Sequence, residues 1–401
     1  MKYQDFDTLA VHAGREDFRA LGVHAAPLDL STTYPIPELA EGTANIDAML
    51  RGERPESNNI YARLANPTVD RFERAFAQLE QADDAVSFGS GMAAVTAALL
   101  AATMTGKRHI VAVRPLYGGT DHLLASGLLH LDVSWATAST VRDHVRADTA
   151  LVVIETPANP TIELLDIADI AQQAGRVPVL VDSTFATPVL QQPLAHGAVM
   201  SLHSATKFIG GHGDVMAGVI ACTEEWAKQL RVVRILTGAV LHPLAAYLLH
   251  RGLQTLPVRV RAMQAGAVTL ADLLAAHPSI SRVFFPSLPG NDPRQPIGRQ
   301  MRGPGTMIAF EMAGGFDAAA EVMRAVTVIT PAVSLGSADS LIQHPAGLTH
   351  RVVNAEGQAE GGVTPGMLRL SVGLEDPSAL WTDLSAALEA AELLLQVGSA
   401  R

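Results

Sequence analysis

Val199-Met200-Ser201-Leu202-His203 runs directly into Ser204-Ala205-Thr206-Lys207-Phe208-Ile209-Gly210-Gly211-His212-Gly213, and the rest of the chain is read from this stretch. The first part is an apolar run of strand length; the second sets one lysine among hydroxyls and glycines. A lysine is thereby placed where a strand passes into a loop, and open α/β sheets bind ligands outside the carboxyl ends of their strands. Ser204 and Thr206 offer hydroxyls suited to a phosphate. A partly desolvated lysine amine is a nucleophile that forms a Schiff base with an aldehyde. Taken alone, the decapeptide reads equally well as a solvated lysine in a polar loop.

Working outward, short β-rich runs alternate with helical ones at His109–Arg114, Ala150–Glu155, Val177–Asp182, Val199–His203 and Ala217–Cys222. Nearly continuous apolar strands separated by helices predict a mostly parallel sheet covered on both faces. Ala85 to Gly106 carries no charge and is long enough for a membrane span of about 20 residues. Gly89, Ser90 and Gly91 interrupt it, however, and the remainder is alanine-rich, which predicts a buried helix of a soluble protein. Upstream, residues 1–60 lack sustained periodicity and are punctuated by Pro27, Pro35, Pro37 and Pro55, so they read as an extended N-terminal arm, with Asn45 to Asn59 a loop. A helix capped by Thr68 follows, with Phe72, Ala75, Phe76 and Leu79 as its apolar stripe. Beyond Gly252, Met263, Ala267, Leu270 and Leu274 stripe a long helix, and Ser281–Phe285 and Met307–Met312 read as strands. Leu368, Leu370 and Val372 alternate with Arg369 and Ser371, and Asp376-Pro377 opens a final helix. The expected organisation is an arm over 1–60, a large α/β domain over 61–255 and a smaller α+β domain over 256–401.

At 401 residues the chain exceeds the roughly 250–300 at which a single core usually divides. A net charge of −11 argues against nucleic acid or an anionic membrane as partner. Cys222 is the only cysteine, so no intrachain disulfide and no Cys-rich metal site can form. His203 and His212 lie near Lys207 without a metal-binding spacing, and no metal is expected. Met1-Lys2-Tyr3-Gln4-Asp5 does not read as a signal peptide, and the cytoplasm is the expected location.

Other groups gather at strand ends. Gly89-Ser90-Gly91-Met92-Ala93-Ala94 precedes the alanine-rich helix, where glycines let the backbone approach an anion. It also fits the loose pattern G-x-G-x-x-A; with Arg114 ending the next run, an NADP-dependent oxidoreductase is an alternative reading. Asp182 is a carboxylate that either caps a helix or pairs with a protonated ring nitrogen. Glu155-Thr156-Pro157-Ala158-Asn159-Pro160 adds an acid and an asparagine in a proline-fixed loop. Tyr117, one of five tyrosines, sits beside Gly118 and Gly119 and offers a flat ring for stacking. A phosphate cradle, a stacking ring, an acid for a ring nitrogen and a Schiff-base lysine are what pyridoxal 5′-phosphate (PLP) requires. A binding protein without catalysis is the further alternative, but it leaves Lys207, Asp182, Tyr117 and Arg369 without a reason to coexist.

The set resembles the Cys/Met-metabolism family of PLP enzymes, the group of cystathionine γ-synthase, cystathionine γ-lyase and methionine γ-lyase. The resemblance runs through Thr8-Leu9-Ala10-Val11-His12-Ala13-Gly14, Tyr61-x-Arg63-x-x-Asn66-Pro67-Thr68, Ser90-Gly91-Met92, Tyr117-Gly118-Gly119-Thr120 and the Glu155–Pro160 loop. It continues in Ser204-Ala205-Thr206-Lys207, Ser334-Leu335-Gly336 and Leu368-Arg369-Leu370-Ser371-Val372-Gly373. It implies the aspartate aminotransferase-like fold type I. By the same resemblance Lys207 carries the cofactor, while Gly91, Met92, Ser204 and Thr206 hold its phosphate with Tyr61 and Arg63 of a neighbouring subunit. Tyr117 stacks on the ring and serves as an acid, Asp182 pairs with the ring nitrogen, and Asn159 lies near the phenolic oxygen. Ser334 and Arg369 take the substrate α-carboxylate. A homotetramer, a dimer of tight dimers with shared sites, is implied as well.

The implied reaction is γ-elimination on a sulfur amino acid such as cystathionine, methionine or homocysteine, with γ-replacement (cystathionine γ-synthase or O-acylhomoserine sulfhydrylase) as the alternative. Leu236–Leu241 and Gln343–His350 look most like methionine γ-lyase. Against that, Gly119 stands where those enzymes carry cysteine, and Arg234-Ile235 where they carry Lys-Asp. Asp339 falls where cystathionine enzymes often carry glutamate.

Overall fold

The computed structural model describes residues 5–55 and 57–399. Its larger sheet contains β1 (Asp84–Phe88), β2 (His109–Val113), β3 (Asp132–Ala136), β4 (Thr149–Glu155), β5 (Val179–Asp182), β6 (Met200–His203) and β7 (Gly218–Cys222). The strand order is β1-β7-β6-β5-β4-β2-β3. The contiguous block β6, β5, β4, β2 and β3 is parallel throughout, and β7 runs antiparallel to both β6 and β1. The strands β2, β4 and β7 are buried along their whole length, as expected of a sheet covered on both faces. Because β2, β4, β5 and β6 are parallel, the residues following each of them emerge along one edge. That edge carries Tyr117, Asn159, Thr184 and Lys207.

The uncharged run from Ala85 is divided between β1 and the helix Gly91–Thr103, with the expected helix confined to its second part. Ser90 caps that helix by accepting from the Ala93 amide at 3.1 Å. The loop expected over Asn45–Asn59 is helical as far as Leu50, in the helix Leu39–Leu50. Gly42 and Asn45 fall on its buried face and break the apolar period, while Met49 packs with Ile60 and Ala65. The following helix, Pro67–Glu80, is capped by Asn66 rather than Thr68. Asn66 Oδ1 accepts from the Thr68 and Val69 amides, Pro67 takes the first helical position, and the Thr68 hydroxyl accepts instead from the Asp29 amide.

The second sheet contains β8 (Ile280–Phe284), β9 (Met307–Met312), β10 (Thr330–Pro331), β11 (Leu341–Gln343) and β12 (Met367–Ser371), in the order β10-β11-β12-β9-β8. The helices Leu256–Ala275, Gly315–Ala325 and Pro377–Ser399 pack on one face of it. Leu368, Leu370 and Val372 point into that core. Period-2 alternation therefore turns Arg369 to the opposite face, toward the edge of the larger sheet. Among the described residues no helix is long and apolar enough to cross a membrane.

Candidate active site

A cavity of about 580 Å³ lies where the strand ends of the larger sheet meet β12. Gly91, Met92, Tyr117, Asn159, Asp182, Ser204, Thr206, Lys207, Ser334 and Arg369 all line it. Tyr61 and Arg63 do not. They lie exposed at the surface, where Arg63 donates to the Ile235 carbonyl at 2.8 Å and sits 5.8 Å from the centre of the Tyr61 ring.

Lys207 Nζ donates to Ser334 Oγ at 2.8 Å. Burial, and secondarily the charge of Arg369, pull the lysine from its usual 10.5 down to about 8. Ser334 holds a left-handed backbone at φ 96°, a conformation that costs a residue other than glycine about 1–3 kcal/mol and gathers at functional sites. Arg369 is buried at 2% exposure. Its guanidinium donates to Asn159 Oδ1 at 2.7 Å and to the Ser334 carbonyl at 2.9 Å. Burial lowers it to about 10, with Glu155 and Tyr117 acting in the other direction.

Asp182 Oδ1 accepts from the Thr184 amide at 3.0 Å and from the Thr184 hydroxyl at 2.5 Å. Both bonds fall on the same oxygen, which leaves Oδ2 for the cavity. Burial raises this carboxyl, and the two bonds from Thr184 pull it back. The Thr206 hydroxyl is tied to Ala217, donating to its carbonyl at 3.1 Å and accepting from its amide at 2.9 Å.

These features coincide with the results of comparison with known proteins. The profile of the Cys/Met metabolism PLP-dependent enzymes matches residues 7–389. The chain belongs to that family. It is 54% identical over 386 residues to an L-methionine gamma-lyase of Brevibacterium sandarakinum, covering 96% of this chain and 97% of the relative. A second L-methionine gamma-lyase, from Streptomyces avermitilis, is 54% identical over 396 residues, or 98% of this chain and 92% of that one. Among solved structures, a cystathionine gamma synthase from Xanthomonas oryzae pv. oryzae superposes with a TM-score of 0.89 at 33% identity, covering 98% of this chain and 99% of that one. A cystathione gamma lyase from Micromonospora echinospora gives 0.84 at 36%, covering 96% and 100%. This Cys/Met-family member is a PLP-dependent carbon–sulfur lyase of fold type I.

The residues of the cavity fit the cofactor. A Cβ added to Gly91 would lie 3.0 Å from both Ser204 Cβ and Ser204 Oγ, so the glycine brings the helix start close against that hydroxyl. The first amides of the helix Gly91–Thr103 have no intrahelical acceptors and face an anion naturally. The single unused oxygen of Asp182 suits a protonated ring nitrogen.

The two departures from the methionine γ-lyase pattern, at Gly119 and Arg234, have local causes. A Cβ at Gly119 would come within 2.6 Å of the Tyr117 ring, so the glycine lets that ring lie against the backbone. Arg234 is buried away from the cavity, donating to Glu73 Oε1 at 2.5 Å and to the Ser87 carbonyl at 3.1 Å. Asp339 is exposed and also lies outside the lining. Arg114, the residue on which a dinucleotide reading depends, pairs with Asp121 and Glu360, each at 2.7 Å, and stacks 3.7 Å from the centre of the Trp135 ring.

Thr184, Phe185, Met216 and Val333 also line the cavity, and the sequence reading did not include them. Thr184 carries a signal, since a hydroxyl two residues after a strand-end aspartate is the ordinary partner of that carboxylate. The apolar three carry no local signal, whereas Leu348 and Thr349 lie in the Gln343–His350 stretch already noted.

Proposed function

We propose that this carbon–sulfur lyase carries out γ-elimination on L-methionine, yielding an α-keto acid, ammonia and a thiol. The observation that carries the reading is the mouth of the cavity. Met216, Val333 and Leu348 line it with apolar side chains exposed by 45% or more, while Asp339 stands outside. The only acids in the lining, Glu155 and Asp182, are engaged with Tyr117, Asn159 and Thr184. A neutral thioether tail suits such a mouth; a distal ammonium would meet no counter-charge there. The two L-methionine gamma-lyases at 54% identity support the same substrate.

The residue roles are those implied by the family resemblance, and the lining of the cavity supports them. The Arg369 guanidinium, oriented by Asn159 and the Ser334 carbonyl, takes the substrate α-carboxylate. Ser90 shapes the phosphate site at the helix start, where Gly91, Met92 and Ser204 hold the anion, joined by Thr206 when its hydroxyl turns from the Ala217 carbonyl. Asp182 keeps the ring nitrogen protonated, Tyr117 packs on the ring face, and Asn159 lies at its edge. Bound PLP supplies an electrophilic aldehyde and an electron sink. Lys207, neutral in good part near pH 8, removes the proton from Cα and moves protons at Cβ. Tyr117, whose ring reaches the mouth, donates a proton to the departing sulfur. Tyr61 and Arg63, on the surface of one chain, complete the phosphate site of a neighbouring copy in a cytoplasmic homotetramer of shared sites. The chain divides functionally into an arm (1–60), a cofactor domain (61–255) and a substrate-carboxylate domain (256–401).

Lys207→Ala is expected to abolish both the visible cofactor band and turnover; survival of either refutes the lysine's role. The protein is then incubated with L-methionine, with cystathionine, and with O-acylhomoserine plus cysteine. Keto acid should form fastest from L-methionine, whereas a predominance of thioether product would make γ-replacement the reaction.

A further inference from the structure

One buried acid in the cavity wall has no part in the roles above. Glu155 ends β4, is 5% exposed, and stands directly across from Asp182 in the β4–β5 register. Burial and the neighbouring Asp182 push its carboxyl well above the usual range, so an acid here is costly unless it serves its neighbours. It does so with both oxygens. Oε2 accepts from the Tyr117 backbone amide at 2.6 Å, and Oε1 accepts from the Asn159 amide at 3.0 Å. Asn159 Oδ1 in turn accepts from the Arg369 guanidinium at 2.7 Å.

Hydrogen bonds thus link the Arg369 guanidinium to the Asn159 side chain, and the Asn159 and Tyr117 backbone amides to one another through Glu155. Tyr117 and Asn159 belong to different loops, one after β2 and one after β4, and no backbone pairing connects them. Only a carboxylate offers two acceptor atoms and no donor. A glutamine at the same place would turn an NH2 toward one of the two amides.

We propose that Glu155 is a positioning residue that couples the loops after β2 and β4, holding the Tyr117 ring over the cofactor and the Arg369 guanidinium on the substrate carboxylate through one bidentate carboxylate. The inference rests on the roles proposed above for Tyr117 and Arg369, and the test separates the two.

Holoenzymes carrying Glu155→Gln, Arg369→Leu and Tyr117→Leu are compared by circular dichroism of the visible cofactor band, by cofactor dissociation constant and by KM and kcat for L-methionine. Arg369→Leu should raise KM and leave the band's dichroism unchanged. Tyr117→Leu should weaken the dichroism and cofactor binding. Glu155→Gln should do both, with KM rising roughly tenfold or more, as expected for loss of a hydrogen bond to a charged acceptor. Wild-type KM and dichroism in Glu155→Gln, or a change in only one of them, overturns the coupling. If Arg369→Leu and Tyr117→Leu leave their own readouts unchanged, the role assignments fall and the coupling with them. Should Glu155→Gln not fold, Glu155→Asp, too short to reach both amides, carries the same expectations and the same refutations.

Discussion

Lys207 shows how far a single residue's chemistry depends on its surroundings. Its type and its place after a strand mark it as a nucleophile, but its basicity is set by burial and by Arg369, which comes from the other sheet. A lysine lowered from 10.5 to about 8 is about a tenth neutral at pH 7, against about one part in three thousand for an ordinary lysine. The sign is that of a cation disfavoured in the folded state, so the reactive amine accumulates as pH rises toward about 8. In cofactor-free protein, the rate of PLP capture, followed by absorbance, should rise with a midpoint near pH 8 and level off about one pH unit higher; a midpoint near pH 10.5 would show the lysine to be solvated. Glu155 is the contrasting residue. Its identity was visible beside Pro157 and Asn159, yet its partners are main-chain amides, which no side-chain motif announces.

At the scale of elements, the turn carrying Lys207 is gripped on several sides. Arg259, in the helix Leu256–Ala275, donates to the Phe208 carbonyl at 2.7 Å and to the Gly252 carbonyl at 2.9 Å. A Cβ on Gly252 would stand 2.3 Å from the Ile209 carbonyl, and one on Gly336 would stand 2.6 Å from the Phe208 amide. The obstructing atoms are backbone and cannot swing aside. Gly252→Ala is therefore expected to destabilise by about 1–3 kcal/mol, in the range of core overpacking, and to displace the lysine turn. A lower thermal midpoint together with weaker cofactor retention would be the measured outcome; a variant with both at wild-type values would show the contact to be slack. The helix Leu39–Leu50 and the Asn66 cap mark the limit of reading elements locally. Gly42 and Asn45 interrupt the helical period on the buried face, and packing of Met49 restores what the pattern lacks. At the cap, Asn66 and Thr68 are both capping residue types; Pro67, at the first helical position, selects Asn66.

For the whole molecule, the segment after the helix Leu39–Leu50 and the larger sheet are joined by buried charge. Arg54 reaches Asp70, Glu73 and Asp84, while Arg231 and Arg234 pair with Asp84 and Glu73 from the helix Glu224–Thr237. Burial opposes ionisation of Glu73, but Arg234 and Arg54 outweigh it and hold the carboxyl below its ordinary range. This network commits Arg234 to structure and removes it from the substrate. Tyr61 and Arg63 follow the arm and remain at the surface, away from the cavity of their own chain. If they serve a neighbour, subunits carrying Lys207→Ala and subunits carrying Arg63→Ala, each inactive alone, should regain activity when refolded together, since each mixed pair contains one intact site. No recovery on mixing would refute a shared site.

The alternation of apolar strands with helices, the aim of Arg369 opposite Leu368 and Leu370, and the gathering of Lys207, Asp182, Tyr117 and Gly91 at strand ends were all determined locally. They depend on hydrophobic period and on the chemistry of residue types, and both are carried by neighbours along the chain. Strand order, the withdrawal of Arg234 and Asp339 from the cavity, and the bridge built by Glu155 were decided only by tertiary packing. Tyr117 and Glu155 are 38 residues apart and meet when β2 pairs with β4, whereas Asn159 and Arg369 are 210 apart and meet only when the two sheets close on one another.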